Sequence, residues 1–294
     1  SLDTAKRSID FFVARTSHAT GPLNFCFYGG EPLVEDGAMA AIIEYADNSV
    51  ASDRSHVFHV TTNGLALKNR SIRDMLAAHE VSLTVSLDGP EEIHDRWRVL
   101  RSGAGTHALV TEGLRALLSE HPEYYKNAVR FNAVLSEPER IEAVIDYFEG
   151  SELFLRSTRT LQLSGVDTKG LVESPEPFGA GPAESQARGE AGGGGTSLRD
   201  RFLSDCLDGG SGSDAVKSQF VATLARIAQR GIGPVGSRFV PQGYCLPGVR
   251  KLFVATDGEL GMCEKVGSKL PIGNVDEGFD SRRISQLLHE LTGL

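Results

Sequence analysis

The sequence predicts an α/β protein in which strands and helices alternate over residues 1–165, followed by a smaller α+β piece at the C-terminal end. Three observations predict it. Apolar positions switch repeatedly between a spacing of three or four residues and short continuous runs, the signatures of amphipathic helices and buried strands. The runs begin near 23, 56, 82, 128 and 158, intervals mostly close to the ~31 residues that one unit of an eight-unit βα barrel occupies. After Gly165 the composition turns to Gly, Pro, Ser and Glu, which sets the first piece apart from the second.

Leu2, Ala5, Ile9, Phe12 and Val13 share one helical face, so a helix is expected over 2–14. LNFCFYGG (23–30) reads as a buried parallel strand, with Cys26 between Phe25 and Phe27 acting as a small hydrophobe. Ala38, Ile42, Ile43 and Ala46 make the next helix, HVFHVTTNG (56–64) a strand, Ile72, Met75 and Leu76 a helix, and SLTVSLDG (82–89) a strand. Leu109, Val110, Gly113, Leu114 and Leu117 then form a helix and AVRFNAVL (128–135) a strand. Ile141, Val144, Ile145 and Phe148 form another helix, and TRTLQLSG (158–165) the fifth strand.

The long segment DGPEEIHDRWRVLRSGAGTH follows the third strand, where α/β proteins usually keep their site. Periodicity alone fits a barrel and an open doubly wound sheet equally. Domains are expected at 1–165 and 214–294, joined by a flexible Gly/Pro/Ser/Glu-rich linker or insertion over 166–213 that includes the short helical candidate SLRDRFLSDCL. In the last piece Val216, Phe220, Leu224 and Ile227 suggest a helix before a bend at GIGPVG. VRKLFVATDGELGMC suggests a hairpin turning at Asp257-Gly258.

Composition excludes several classes. With 30 Lys+Arg against 39 Asp+Glu the net charge is -9 and no basic run appears, so a general grip on nucleic acid is not expected. No stretch approaches the ~18 apolar residues of a spanning helix, so no membrane association is expected. Four cysteines, Cys26, Cys206, Cys245 and Cys263, are too few for a secreted disulfide scaffold. The opening SLDTAKRSIDFFVAR lacks the layout of a signal peptide, which points to a reducing cytoplasm. There is no GxxxxGK and no HExxH, and His56, His59, His94 and His107 lack paired metal spacing.

Candidate site residues stand at strand ends: YGGEP (28–32), TTNG (61–64) and SLDG (86–89). Glu31 suits a ligand ammonium, and Gly29 and Gly30 let a ligand approach the backbone. In a parallel barrel such ends face one side, so Glu31, Thr62, Asn63, Ser86 and Asp88 are expected in one pocket. Each motif taken alone reads equally as turn chemistry.

Taken together and in this order, FYGGEPL, TTNG and VSLDGPEEIHDRWR with a following GAGTH resemble the SPASM-containing radical S-adenosylmethionine (SAM) enzymes that mature peptides and proteins, anaerobic sulfatase maturases among them. The resemblance implies a partial (β/α) TIM-type barrel of the radical SAM kind plus a small C-terminal SPASM-like α+β domain. It implies reductive cleavage of SAM and hydrogen abstraction from a peptide or protein substrate, with an electron donor such as a flavodoxin or ferredoxin. It places Gly29, Gly30 and Glu31 at the methionine amino group, and Asn63, Ser86 and Asp88 at the ribose and methionine carboxylate. Arg98 joins them, with Arg96 and Arg101 as alternatives.

Cys245 and Cys263 form C-x12-G-x4-C around Gly258, and PIGNVDEGFD follows. Chemistry alone leaves a structural hairpin or a zinc site open; the resemblance implies ligands of an auxiliary [4Fe–4S] cluster. The CxxxCxxC of the family's catalytic cluster does not occur in these 294 residues. The chain is therefore expected to be an internal piece of a longer enzyme, inactive alone. The alternative is a non-catalytic remnant that binds a peptide or partner.

Overall fold

The computed structural model describes residues 1–18, 21–34, 36–165, 215–217, 252–262 and 270–292. Five strands, β1 (Leu23–Phe27), β2 (His56–Thr62), β3 (Ser82–Ser86), β4 (Val129–Leu135) and β5 (Leu161–Gly165), hydrogen-bond in sequence order into one parallel sheet. With its helices this sheet is a partial TIM-type barrel, as the family resemblance implies. Helices α1 (Leu2–Arg15), α2 (Asp36–Ser49) and α3 (Arg70–Ala78) lie among the first strands in sequence. A short α4 (Glu91–His94), α5 (His107–Glu120) and α6 (Pro122–Ala128) come between β3 and β4, and α7 (Ile141–Gly150) and α8 (Glu152–Leu155) between β4 and β5. Among the described residues no helix is long and apolar enough to cross a membrane.

By contacts the chain forms two compact units, Ser1–Thr84 with Gly231–Leu294, and Val85–Arg230. In the first, β1 and β2 pair in parallel register from Leu23 opposite His56 to Phe27 opposite Val60, and Phe25 stacks on Phe58 at 5.5 Å. The pattern along β1 corrects one sequence expectation. Leu23 is buried, but Cys26 is exposed, because the pleat sends it to the opposite face from Leu23, beside Asn24.

The first unit also contains the small antiparallel sheet β6 (Phe253–Val254), β7 (Glu259–Gly261), β8 (Pro271–Asn274) and β9 (Gly278–Phe279), followed by α9 (Ser281–Thr292). The expected hairpin turn is present: Ala255 N–H donates to Glu259 O at 2.9 Å and Glu259 N–H to Asp257 Oδ1 at 3.0 Å. Leu260, Met262, Ile272, Val275 and Leu287 form its core, and Phe11 of α1 packs against it. The ring of Phe11 meets Phe279 edge-on at 5.4 Å, and the Arg7 guanidinium pairs with Asp276. The N-terminal helix thus ties this small sheet to its unit through both apolar and charged contacts.

The second unit is built on aromatic packing. Phe131 of β4, Phe148 of α7 and Phe154 of α8 are almost wholly buried, with ring centroids 5.4 to 6.1 Å apart. Tyr125 of α6 is also buried, and its hydroxyl donates to Leu153 O at 3.0 Å, which satisfies the polar tip of a side chain otherwise chosen for bulk. The helix expected from Val216 onward is described only at 215–217, where the chain is helical; the rest of it, the segment 166–213 with its Cys206, and the GIGPVG bend lie outside the described residues.

Candidate functional site

In the first unit the chain leaves β1 through Gly29 and Gly30 at φ of 98° and 55°, a region that L side chains rarely adopt. A Cβ at either position would meet nothing within 4 Å. The two glycines therefore answer to backbone conformation, and the peptide groups beside them are open to a ligand. Glu31 follows and ties this loop to the end of β2. Its Oε1 accepts from the Thr62 hydroxyl at 2.7 Å and from Leu33 N–H at 3.1 Å, and its Oε2 accepts from Asn63 N–H at 2.7 Å. A carboxylate offers roughly four acceptor positions. Three are filled by described residues, so room remains for one further donor such as an ammonium.

Thr62 is buried and its hydroxyl also accepts Gly64 N–H at 3.0 Å, while Asn63 Oδ1 accepts Leu65 N–H at 2.9 Å in an Asx turn. The TTNG segment is thus both turn chemistry and the anchor of Glu31.

In the second unit Ser86 ends β3, buried, and Asp88 follows two residues later. Asp88 is also buried and its carboxylate accepts three hydrogen bonds: Arg98 donates from Nε at 2.6 Å and from Nη2 at 3.1 Å, and Val134 N–H donates at 2.9 Å. This bidentate pair clamps the segment after β3 against β4. Of the residues singled out by sequence, the structure brings Glu31 to Asn63, and Asp88 to Arg98. Arg96 pairs instead with Glu137 at 2.5 Å.

His94, to which sequence reading gave no role, is wholly buried in the middle of this segment. Its Nδ1 accepts Asp88 N–H at 3.1 Å, so the proton sits on Nε2, which donates to Thr106 Oγ1 at 3.0 Å. The Thr106 hydroxyl passes its own proton on to Arg98 O at 2.8 Å. Burial pushes the imidazole down to about 4, with the Asp88 charge opposing and the Arg98 charge reinforcing the shift. Asp95 completes the segment by accepting Thr106 N–H and His107 N–H at 2.8 Å each, capping α5. The signal in the sequence was the pairing of IHD with a GTH twelve residues further on.

A depressed histidine has a signed consequence. Above the ordinary value near 6.5 neither folded nor unfolded protein protonates this ring; below it the unfolded chain takes up a proton that the folded one refuses until about pH 4. His94 stabilisation is therefore complete above pH 6.5 and lost as pH falls toward 4, by about 3 kcal/mol in all. Nitrogen-15 NMR should find His94 as the Nε2–H tautomer and untitrated down to pH 5. Titration of this ring near 6.5 would contradict the assignment.

A cleft of about 830 Å³ opens elsewhere in the second unit, lined by His107, Arg115, Tyr147 and Arg156. There His107 Nε2 meets the Tyr147 hydroxyl at 2.8 Å; burial lowers the histidine and raises the tyrosine to about 12. No residue expected from sequence to bind a cofactor lines it.

Cys26 is the one cysteine among the described residues; Cys206, Cys245 and Cys263 lie outside them. A cluster that needs three thiolates has no place among the described residues.

No family model matches the chain. The uncharacterized protein sll1766 of Synechocystis sp. is 28% identical over 155 residues, which are 51% of this chain and 38% of that protein. The chain thus spans less than half the length of this curated relative. Among solved structures, native anSMEcpe with bound AdoMet and Kp18Cys peptide superposes with a TM-score of 0.65 at 17% identity, over 96% of this chain and 71% of that one. Native anSMEcpe with bound AdoMet gives a TM-score of 0.64 at 18% identity, over 94% of this chain and 69% of that one. The Cp18Cys peptide complex gives 0.65 at 18% identity, over 96% and 71%. At such identities the likeness establishes the fold.

Proposed function

We propose that this chain supplies the SAM-binding strand ends of a radical SAM/SPASM enzyme that modifies a peptide or protein. The observation that carries the reading is the Gly29-Gly30-Glu31 loop: two open glycines at positive φ, then a carboxylate fixed by Thr62 and Asn63 with one acceptor position left. The fold supports it, since anSMEcpe is a SPASM-domain radical SAM anaerobic sulfatase-maturating enzyme, seen with AdoMet and with peptides. In this reading the backbone beside Gly29 and Gly30, with the Glu31 carboxylate, holds the methionine ammonium. Asn63 and Ser86 are further SAM contacts. Asp88 and Arg98, already joined to each other, hold the segment after β3 in place.

Bound SAM is the source of the hydrogen-abstracting group in such chemistry, and the iron and electron come from outside the described residues. Cys245 and Cys263 are proposed as auxiliary-cluster ligands and a flavodoxin or ferredoxin as electron donor. Residues 1–294 alone are expected to form no 5′-deoxyadenosine after anaerobic reconstitution with iron and sulfide.

Equilibrium dialysis of labelled SAM against this chain tests the binding role directly. Without iron to chelate the methionine end, dissociation in the millimolar range is expected, on the order of 4 kcal/mol. Glu31→Ala should weaken it about tenfold or more, the loss of one charged hydrogen bond, while the unfolding midpoint shows the unit still folded. Glu31→Gln, which keeps the shape and removes the charge, should also weaken it. Equal SAM binding by wild type and both variants would remove Glu31 from the site.

A further inference from the structure

We propose that residues 96–105, which follow α4 and end in a hairpin closed between Val99 and Gly105, are a docking surface for the peptide substrate, with Trp97 and Val99 receiving an apolar side chain and Arg101 a neighbouring carboxylate. The inference rests on the reading of this chain as part of a peptide-modifying enzyme.

Trp97 is the only tryptophan in the sequence and is 64% exposed, and Val99 is 50% exposed. A single exposed apolar residue means little on a protein surface. Here two of them alternate with two anchored arginines. Arg96 pairs with Glu137 at 2.5 Å and Arg98 with Asp88, so each outward residue is flanked by a charge-paired arginine, the Arg98 one held on two hydrogen bonds. The next residues close on themselves: Val99 bridges Gly105 in antiparallel sense, Leu100 N–H donates to Ala104 O at 2.8 Å, and Gly103 N–H to Leu100 O at 2.9 Å. Thr106, itself held by buried His94, grips Arg98 O. The tryptophan is thus presented on a braced backbone, and contact with it costs little ordering entropy, the property of an aromatic anchor at a binding surface.

The charges around it define the partner. Asp88 pairs with Arg98 and Glu137 is shared between Arg96 and Arg140, whereas among the described residues Arg101 has no carboxylate at ion-pair distance. The surface therefore offers an apolar patch bordered by an available guanidinium. The complementary ligand is a peptide with an aromatic or aliphatic side chain flanked by acidic residues.

Three nine-residue peptides test this on residues 1–294: acetyl-GSDFLFDSG-amide, the lysine-flanked acetyl-GSKFLFKSG-amide, and acetyl-GSDGGGDSG-amide. Because the chain has one tryptophan, emission reports this position alone. The acidic apolar peptide should shift Trp97 emission to shorter wavelength in a saturable way, and the other two should not. With a fluorescein-labelled copy of that peptide read by polarisation, W97A should raise Kd about tenfold or more. R101E should do the same and turn the preference toward the lysine-flanked peptide. Unchanged emission with all three peptides, or unchanged affinity in both variants, would overturn the proposal. Neither SAM nor iron is present, and neither variant touches Glu31, so failure here and failure of SAM binding are read separately.

Discussion

Asp88→Ala should destabilise the second unit by about 2 to 3 kcal/mol, below the ~3 to 5 kcal/mol of a fully buried ion pair because the Arg98 side chain is 26% exposed and can rehydrate. Asp88 is 5% exposed, and its loss leaves the Arg98 guanidinium and Val134 N–H facing the space where its carboxylate stood. Urea unfolding read by far-ultraviolet circular dichroism measures the effect, taken as a change in midpoint at constant slope. The double variant Asp88→Ala/Arg98→Met should be more stable than Asp88→Ala alone, because it no longer strands a charge. A single variant within about 0.5 kcal/mol of wild type, the range of ordinary surface changes, would show that the pair does not hold this segment.

Gly105→Ala should also be severe, although a methyl is all that it adds. The new Cβ would lie 2.0 Å from Asp95 Oδ2, 2.1 Å from Cγ and 2.7 Å from Cβ. Rotating the aspartate cannot relieve a clash that reaches its own Cβ, and Oδ1 is committed to the first amides of α5. The cap is broken and the hairpin must also shift. Cap loss costs about 1 kcal/mol and an overpacked site typically 1 to 3 more. The same urea series should therefore show a loss of about 2 to 4 kcal/mol, and hydrogen exchange should speed up first at Thr106 and His107. A wild-type midpoint for this variant would mean that the close approach of Gly105 to Asp95 is not maintained in solution.

The alternation of helix and strand was legible because the apolar periods are long and regular. β2 and β4 fall where HVFHVTTNG and AVRFNAVL place them, ending where polar turn residues begin. β5 starts at Leu161 and not at Thr158, because Arg159 turns at φ 55° and Thr158 still bonds to Val129 O. The seven-residue α6 and four-residue α8 are too short to leave a period of their own. Cys26 illustrates a different limit: an apolar run such as LNFCF does not say which of its two faces the fold covers.

The site was legible in part for similar reasons. Glu31 and Asn63 announced themselves through glycine-flanked polar residues at strand ends, and the structure links them by a direct hydrogen bond. The partnership of Asp88 with Arg98 leaves no mark in the sequence, because a ten-residue separation across a loop carries no periodicity that would announce it. His94 lacks metal-ligand spacing in the sequence. Its actual partners are a backbone amide and a threonine, which carry no spacing rule.

Backbone chemical-shift mapping of residues 1–294 with SAM is the most direct test of the central claim. At several millimolar SAM, shifts are expected at Gly29, Gly30, Glu31 and Asn63, and at Ser86 beyond them, and Glu31→Ala should suppress the whole set. Shifts absent from these residues, or confined to the cleft of His107, Arg115, Tyr147 and Arg156, would contradict SAM binding at the strand ends.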